Sequence, residues 1–181
     1  MVLVWIVVIM EMMVFAAGFI GVAILRAKNP AAFDAELIHF ELQAGLMMTF
    51  TLLTSGWLVA EAVKKYFQNK LFQAQIYHIT SVLIGSFFLI YKYLDFKAKA
   101  EAGLTLGKNN FWDVYWLLAG FHYSHVLLGV ILLAMVSMGI KNRRFEDENF
   151  SVRGSATFWH MCDLAWFFLF ALYYIKPSGG L

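Results

Sequence analysis

Five apolar stretches, at about 2–25, 42–63, 71–91, 112–140 and 156–175, constrain this chain more than any other feature. Crossing the hydrocarbon core of a bilayer takes about 20 helical residues, and each stretch reaches that length. Inside lipid the chain must satisfy its own backbone N–H and C=O groups, so only helices and closed barrels cross. None of the five alternates polar and apolar residues with period two, which argues against a barrel. Proline occurs only at Pro30 and Pro177, outside the stretches, so nothing within them withdraws a helical hydrogen bond. The expectation is an all-α integral membrane protein, a bundle of five transmembrane helices.

Composition agrees: 61% of the 181 residues are hydrophobic and 14% are charged, where soluble domains carry about 25% charged residues. The net charge of +2 and the lack of a basic arm give no reason to expect nucleic acid as a partner. The one cysteine, Cys162, rules out a disulfide within the chain and a cluster of zinc thiolates. Four short connections join the stretches. Arg26–Glu41 breaks at Asn29-Pro30, Lys64–Lys70 is a basic turn, Lys92–Asn110 holds Gly103 and Gly107, and Lys141–Ser155 is highly charged. They leave no room for a soluble domain, so residues 1–181 are predicted to form one transmembrane domain.

No basic segment precedes Val2, and the first run is longer than the apolar part of a signal peptide, so it reads as a retained helix. Seven Lys and Arg residues fall in the turns on the N-terminal side and seven on the other, so the count alone is a tie. Lys64-Lys65 and Arg143-Arg144 sit directly beside helix ends, which favours a cytoplasmic N-terminus. Ala17–Gly21 and Gly120–Ser124 offer small-residue spacings at which helices approach closely.

Function has to be argued from the polar groups kept inside these stretches. Glu11 lies in an otherwise apolar run, where a carboxylate costs roughly 2.5–3.5 kcal/mol on insertion scales and so faces a partner, a cavity or a pathway. It is expected to hydrogen-bond across helices, or to a lipid or subunit, with a proton role as the sharper alternative. His122 and His125, three residues apart, point to one side of the fourth stretch. They are read as a ligand pair, a proton relay or, more simply, imidazoles bonding to a neighbouring helix. Two histidines are too few for a metal, and no metal site is predicted. His160 and Asp163 repeat the spacing, with the carboxylate fixing the imidazole tautomer. Trp159 and Trp166 flank them and are placed at the headgroup level, where a tryptophan N–H stays wet. Lys92 with Asp95, and Glu61 with Lys65, read as ion pairs anchoring the membrane rim.

Taken in order, these residues resemble subunit III of the haem-copper oxidases. Trp159-His160-Met161-Cys162-Asp163-Leu164-Ala165-Trp166 matches that family's W-H-x-x-D-x-x-W closing helix. Ala119-Gly120-Phe121-His122-Tyr123-Ser124-His125-Val126-Leu127-Leu128-Gly129 is similar to its T-G-x-H-x-x-H-V-x-x-G helix, with Ala119 for the usual threonine. Glu11 and Phe15 match the S-E-x-x-x-F helix, and Lys92 to Phe96 resembles the K-x-x-E-Y stretch, with Asp95 for glutamate. The likeness is to the short five-helix form, which includes the accessory subunit of bacterial nitric oxide reductase; Asn109-Asn110-Phe111-Trp112 resembles the latter somewhat more.

The resemblance implies a non-catalytic accessory subunit of a respiratory complex in the bacterial inner membrane, with its N-terminus in the cytoplasm. It implies that this chain binds no haem or copper, that the haem and any copper or iron sit in a catalytic partner, and that phospholipid occupies a cleft between helix groups. It implies support of proton uptake and of enzyme integrity. Glu11, His122, His125, His160 and Asp163 would be interhelical polar contacts, and Lys92 and Asp95 would lie near the outer rim. Two competing readings use the same residues: a membrane electron carrier with His78, His122, His125 and His160 as iron or metal ligands, and a small proton-coupled transporter built on Glu11 and the histidines.

Overall fold

With proline outside the apolar stretches, a helix forms along each of them and, except at the end of the last, reaches or passes both of its ends. The computed structural model describes residues 2–140, 145, 147 and 149–175. It contains α1 Val2–Lys28, α2 Pro30–Glu36, α3 Leu42–Phe67, α4 Leu71–Glu101, α5 Asn110–Ile140 and α6 Gly154–Tyr173. A 3₁₀ turn, Leu37–His39, follows α2, and a π-helical turn, Asn149–Arg153, opens into α6. No strand occurs among the described residues. All the helices except α2 are long and apolar enough to cross a membrane, the last counted from Phe150. Lys141, Arg143, Arg144 and Lys176, on which part of the charge-based orientation rests, lie outside the described residues.

The connections are where expectation and structure part. Arg26–Glu41 contains a helix of its own: Asn29 caps it by accepting from the Ala32 N–H at 3.2 Å, and Pro30 supplies the first-turn geometry. Arg26 pins this short helix back on α1 through Asp34 at 2.9 Å. α4 runs ten residues past the expected end at 91, so Lys92, Asp95 and Lys99 belong to its last turns rather than to a loop. The chain leaves α4 through Gly103 and Gly107, at φ of 74° and 85°, a region open chiefly to glycine. At the basic turn, Glu61 meets Lys64 at 3.3 Å, one residue short of the expected partner Lys65.

α3 packs on α4 and α6, α4 on α5, and α5 on α6, which closes a four-helix ring. α1 lies outside the ring, against α5 and α6. Its buried residues, Val8, Phe15 and Val22, recur every seven positions and form one narrow seam. The rest of α1, including Ile6, Met10, Met13 and Ile20, faces outward.

Close approach inside the ring is made by glycines. A side chain at Gly85 of α4 or Gly129 of α5 would meet the Trp159 ring at 2.7 or 2.8 Å, so these two positions form the slot that holds it.

Candidate functional site

The polar groups held among the helices form three separate clusters. On the outer side of α5, Glu11 Oε2 lies 3.1 Å from His125 Nε2. His125 Nδ1 lies 2.8 Å from the Phe121 carbonyl, one turn back on the same helix. A carbonyl can only accept, so Nδ1 carries a proton. In a neutral ring, Nε2 is then a lone-pair acceptor and Glu11 must donate its carboxyl proton. If the ring is instead cationic, Nε2–H donates to a Glu11 carboxylate. In both states the pair is neutral overall and shares a single proton along one hydrogen bond. Phe15 and Phe121 flank the imidazole, with ring centroids 5.5 and 4.4 Å away.

His122 does not join that pair. It turns into the ring of helices, buried between Phe15, Phe88 and Trp166 at centroid distances of 6.2, 6.0 and 5.6 Å. Neither of its nitrogens finds a hydrogen-bond partner among the described residues, so the expected interhelical polar contact is not made there. His78, inside the ring on α4, is buried in the same unpartnered way. Among the described residues no three His, Cys, Asp or Glu side chains converge as metal ligands would.

The second cluster is His160 with Asp163, Nδ1 to Oδ2 at 3.2 Å. It is a contact within α6 rather than between helices. Asp163 is tucked against Gly56 of α3, where any side chain would collide with its carboxylate. The other carboxylate oxygen is buried without a partner among the described residues. His160 faces out of the bundle.

The third cluster corrects the reading of Lys92 and Asp95 as rim anchors. Lys92 is 2% exposed. Its three ammonium protons are all engaged: by Asp95 Oδ2 at 2.9 Å, Tyr115 Oη at 3.1 Å and Tyr174 Oη at 3.3 Å. The rings of Phe96, Tyr115, Trp166 and Tyr174 surround the charge. Asp95 also takes Lys99 on its second oxygen, so one carboxylate joins two buried lysines. Extending α4 ten residues is what carries this group under the rings of α5 and the α6 terminus.

Trp159 and Trp166 are corrected in the same way, because both are buried in the bundle instead of wetting at the headgroups. Trp166 Nε1 donates to Thr49 Oγ1 at 2.9 Å, and that hydroxyl passes its own proton to the Gly45 carbonyl at 2.8 Å.

Four residues tie the connections down: Glu36 and Lys99, which sequence reasoning did not single out, and Asn109 and Trp112, which it quoted only for the family likeness. Glu36 accepts from Asn109 Nδ2 at 2.6 Å and from Trp112 Nε1 at 2.9 Å. Asn109 caps α5 by accepting from the Trp112 N–H at 3.1 Å. Lys99 is the fourth; its spacing of four from Asp95 was a readable signal.

The family model described as cytochrome c oxidase subunit III matches residues 3–178. Quinol oxidase subunit 3 of Bacillus spizizenii is 27% identical over 178 residues, covering 98% of this chain and 87% of that protein. The Bacillus subtilis protein of the same name is 26% identical over 178 residues, with the same coverage. Probable quinol oxidase subunit 3 of Staphylococcus saprophyticus is 28% identical over 175 residues, covering 94% of this chain and 86% of that one. The chain belongs to the cytochrome c oxidase subunit III family.

Proposed function

We propose, from that membership, that this chain is the accessory subunit III of a haem-copper terminal oxidase in a bacterial membrane, and that its complex takes electrons from a quinol. The observation that carries the proposal is the family match across residues 3–178, which includes all five spans and all three polar clusters. The relatives' names support the quinol donor, and they favour a terminal oxidase over the nitric oxide reductase association. Electron chemistry belongs in this reading to the catalytic partner, which holds the haem and copper.

The chain's own residues supply attachment and proton handling. Lys92, Asp95 and Lys99 lock α4 to α5 and to the end of α6. Glu11 and His125 share one proton on a partly open face of the bundle, an arrangement suited to passing protons toward a neighbouring subunit. The reading treats residues 1–181 as one domain with a cytoplasmic N-terminus and with phospholipid bound between its helices.

Purification of the tagged chain in a mild detergent tests it. The expected result is co-purification of a haem-containing subunit, phospholipid in the extract, and quinol oxidation by the complex. Haem absorbance that stays with the separated 20.7 kDa chain, or a tagged chain that brings down no haem protein, would refute it.

A further inference from the structure

One outward face of the bundle is chemically unlike the others. Around the middle of α4 the outward side chains are Leu83, Phe87 and Ile90, a surface suited to lipid. Between α3 and α6 the face at similar depth carries His160, whose side chain is 46% exposed. Counted from Phe150 to Tyr173, His160 lies about 15 Å and about 20 Å from the two ends at 1.5 Å per residue, near the bilayer centre. Polar side chains at that depth face protein or a cavity rather than hydrocarbon.

The chemistry of the exposed atom can be stated. His160 Nδ1 lies 3.2 Å from Asp163 Oδ2, and Asp163 is held in place by the close approach of α3 at Gly56. With Asp163 as the carboxylate, Nδ1–H donates to it and Nε2 of the neutral ring keeps an outward lone pair, which no described residue meets. The second Asp163 oxygen is buried with no partner among the described residues, so with Asp163 ionised the dyad offers acceptors outward and no donor. Trp57, the residue after Gly56, is 60% exposed, and its indole N–H has no hydrogen-bond partner among the described residues. Tryptophan is among the side chains most enriched where binding energy concentrates at interfaces. Glu11, an ionisable group partly exposed within its own span, already has its partner in His125.

We propose that the outer α3–α6 face, centred on His160, Asp163 and Trp57, is where a transmembrane helix of the haem-bearing subunit seats, and that this helix brings a hydrogen-bond donor to His160 Nε2. The complementarity is specific: an acceptor-rich dyad set in an apolar surface of Leu53, Leu164 and Phe167 calls for an apolar helix with one donor at matching depth. This rests on the accessory-subunit reading above and deepens it by naming the docking surface.

The test places a photoreactive benzophenone side chain at Leu164, at Phe167 or, as a control on α4, at Leu83, in the full complex in native membranes. Irradiation should give adducts with the haem-bearing subunit from Leu164 and Phe167 and not from Leu83. In the same complex His160→Ala should weaken retention of the chain by roughly three- to tenfold, the effect of losing one interhelical hydrogen bond in a membrane. Adducts from Leu83 alone, adducts joining two copies of this chain, or no adduct at Leu164 while the haem subunit still co-purifies would each overturn the surface but leave the accessory reading standing. A chain that brings down no haem protein removes both.

Discussion

Replacing Asp95 tests the buried charge cluster most sharply. Lys92 is 2% exposed, so it cannot turn to water when its anion is removed. Asp95 accepts from Lys92 at 2.9 Å and also from Lys99. Asp95→Ala therefore leaves Lys92 with two tyrosine hydroxyls and aromatic rings but no counter-charge, and takes from Lys99 the carboxylate it is paired with. Breaking a buried pair from one side costs about 3–5 kcal/mol, because the remaining charge is uncompensated.

The sign of the next step is the informative part. Adding Lys92→Met to Asp95→Ala removes the stranded charge and keeps most of the apolar stem, so the double variant should be more stable than Asp95→Ala alone, by about 2 kcal/mol. Tyr115 and Tyr174 lose a partner in that variant, so recovery is incomplete. The assay is reversible unfolding of the detergent-solubilised chain by sodium dodecyl sulfate, followed by tryptophan fluorescence. An Asp95→Ala variant within about 1 kcal/mol of the parent, below the cost of an orphaned buried charge, would refute the reasoning. So would a double variant less stable than the single one.

The same titration checks three further expectations. Gly56→Ala places a methyl group against the Asp163 carboxylate and should cost about 1–3 kcal/mol as overpacking. Glu11→Leu leaves His125 Nε2 without its partner at 3.1 Å and should cost about 0.6–1.7 kcal/mol, with Glu11→Gln closer to the parent because it can still bond. Asn109→Ala removes the cap on the Trp112 N–H and the tie to Glu36, and should lower stability by about 1 kcal/mol.

What could be read in advance divides along physical lines. The five helices were legible because apolar length and the absence of proline are local properties of the chain. Glu11 was legible as a partnered group because an unpaired carboxyl inside a span is too costly to keep. The positions of Trp159 and Trp166 were not, because tryptophan suits both a wet interface and a dry core. What decides between them is Gly85, Gly129 and Thr49, which lie on other helices. His122 and His125 share a helix side, yet three residues leave them about 60° apart at 3.6 residues per turn. That angle is enough to send one toward α1 and the other into the ring. Lys92 and Asp95 looked like rim charges because the apolar run ends before them. The helix continues because Lys99, Tyr115 and Tyr174 complete their bonding, and the two tyrosines become neighbours only in the fold.

Native mass spectrometry of the purified membrane complex tests the central claim most directly, because it assigns every haem to a polypeptide. The account predicts that this chain leaves the complex at 20.7 kDa, with phospholipid at most, and that the remaining assembly keeps its full complement of haem. A released 20.7 kDa species carrying the added mass of haem or copper would contradict it.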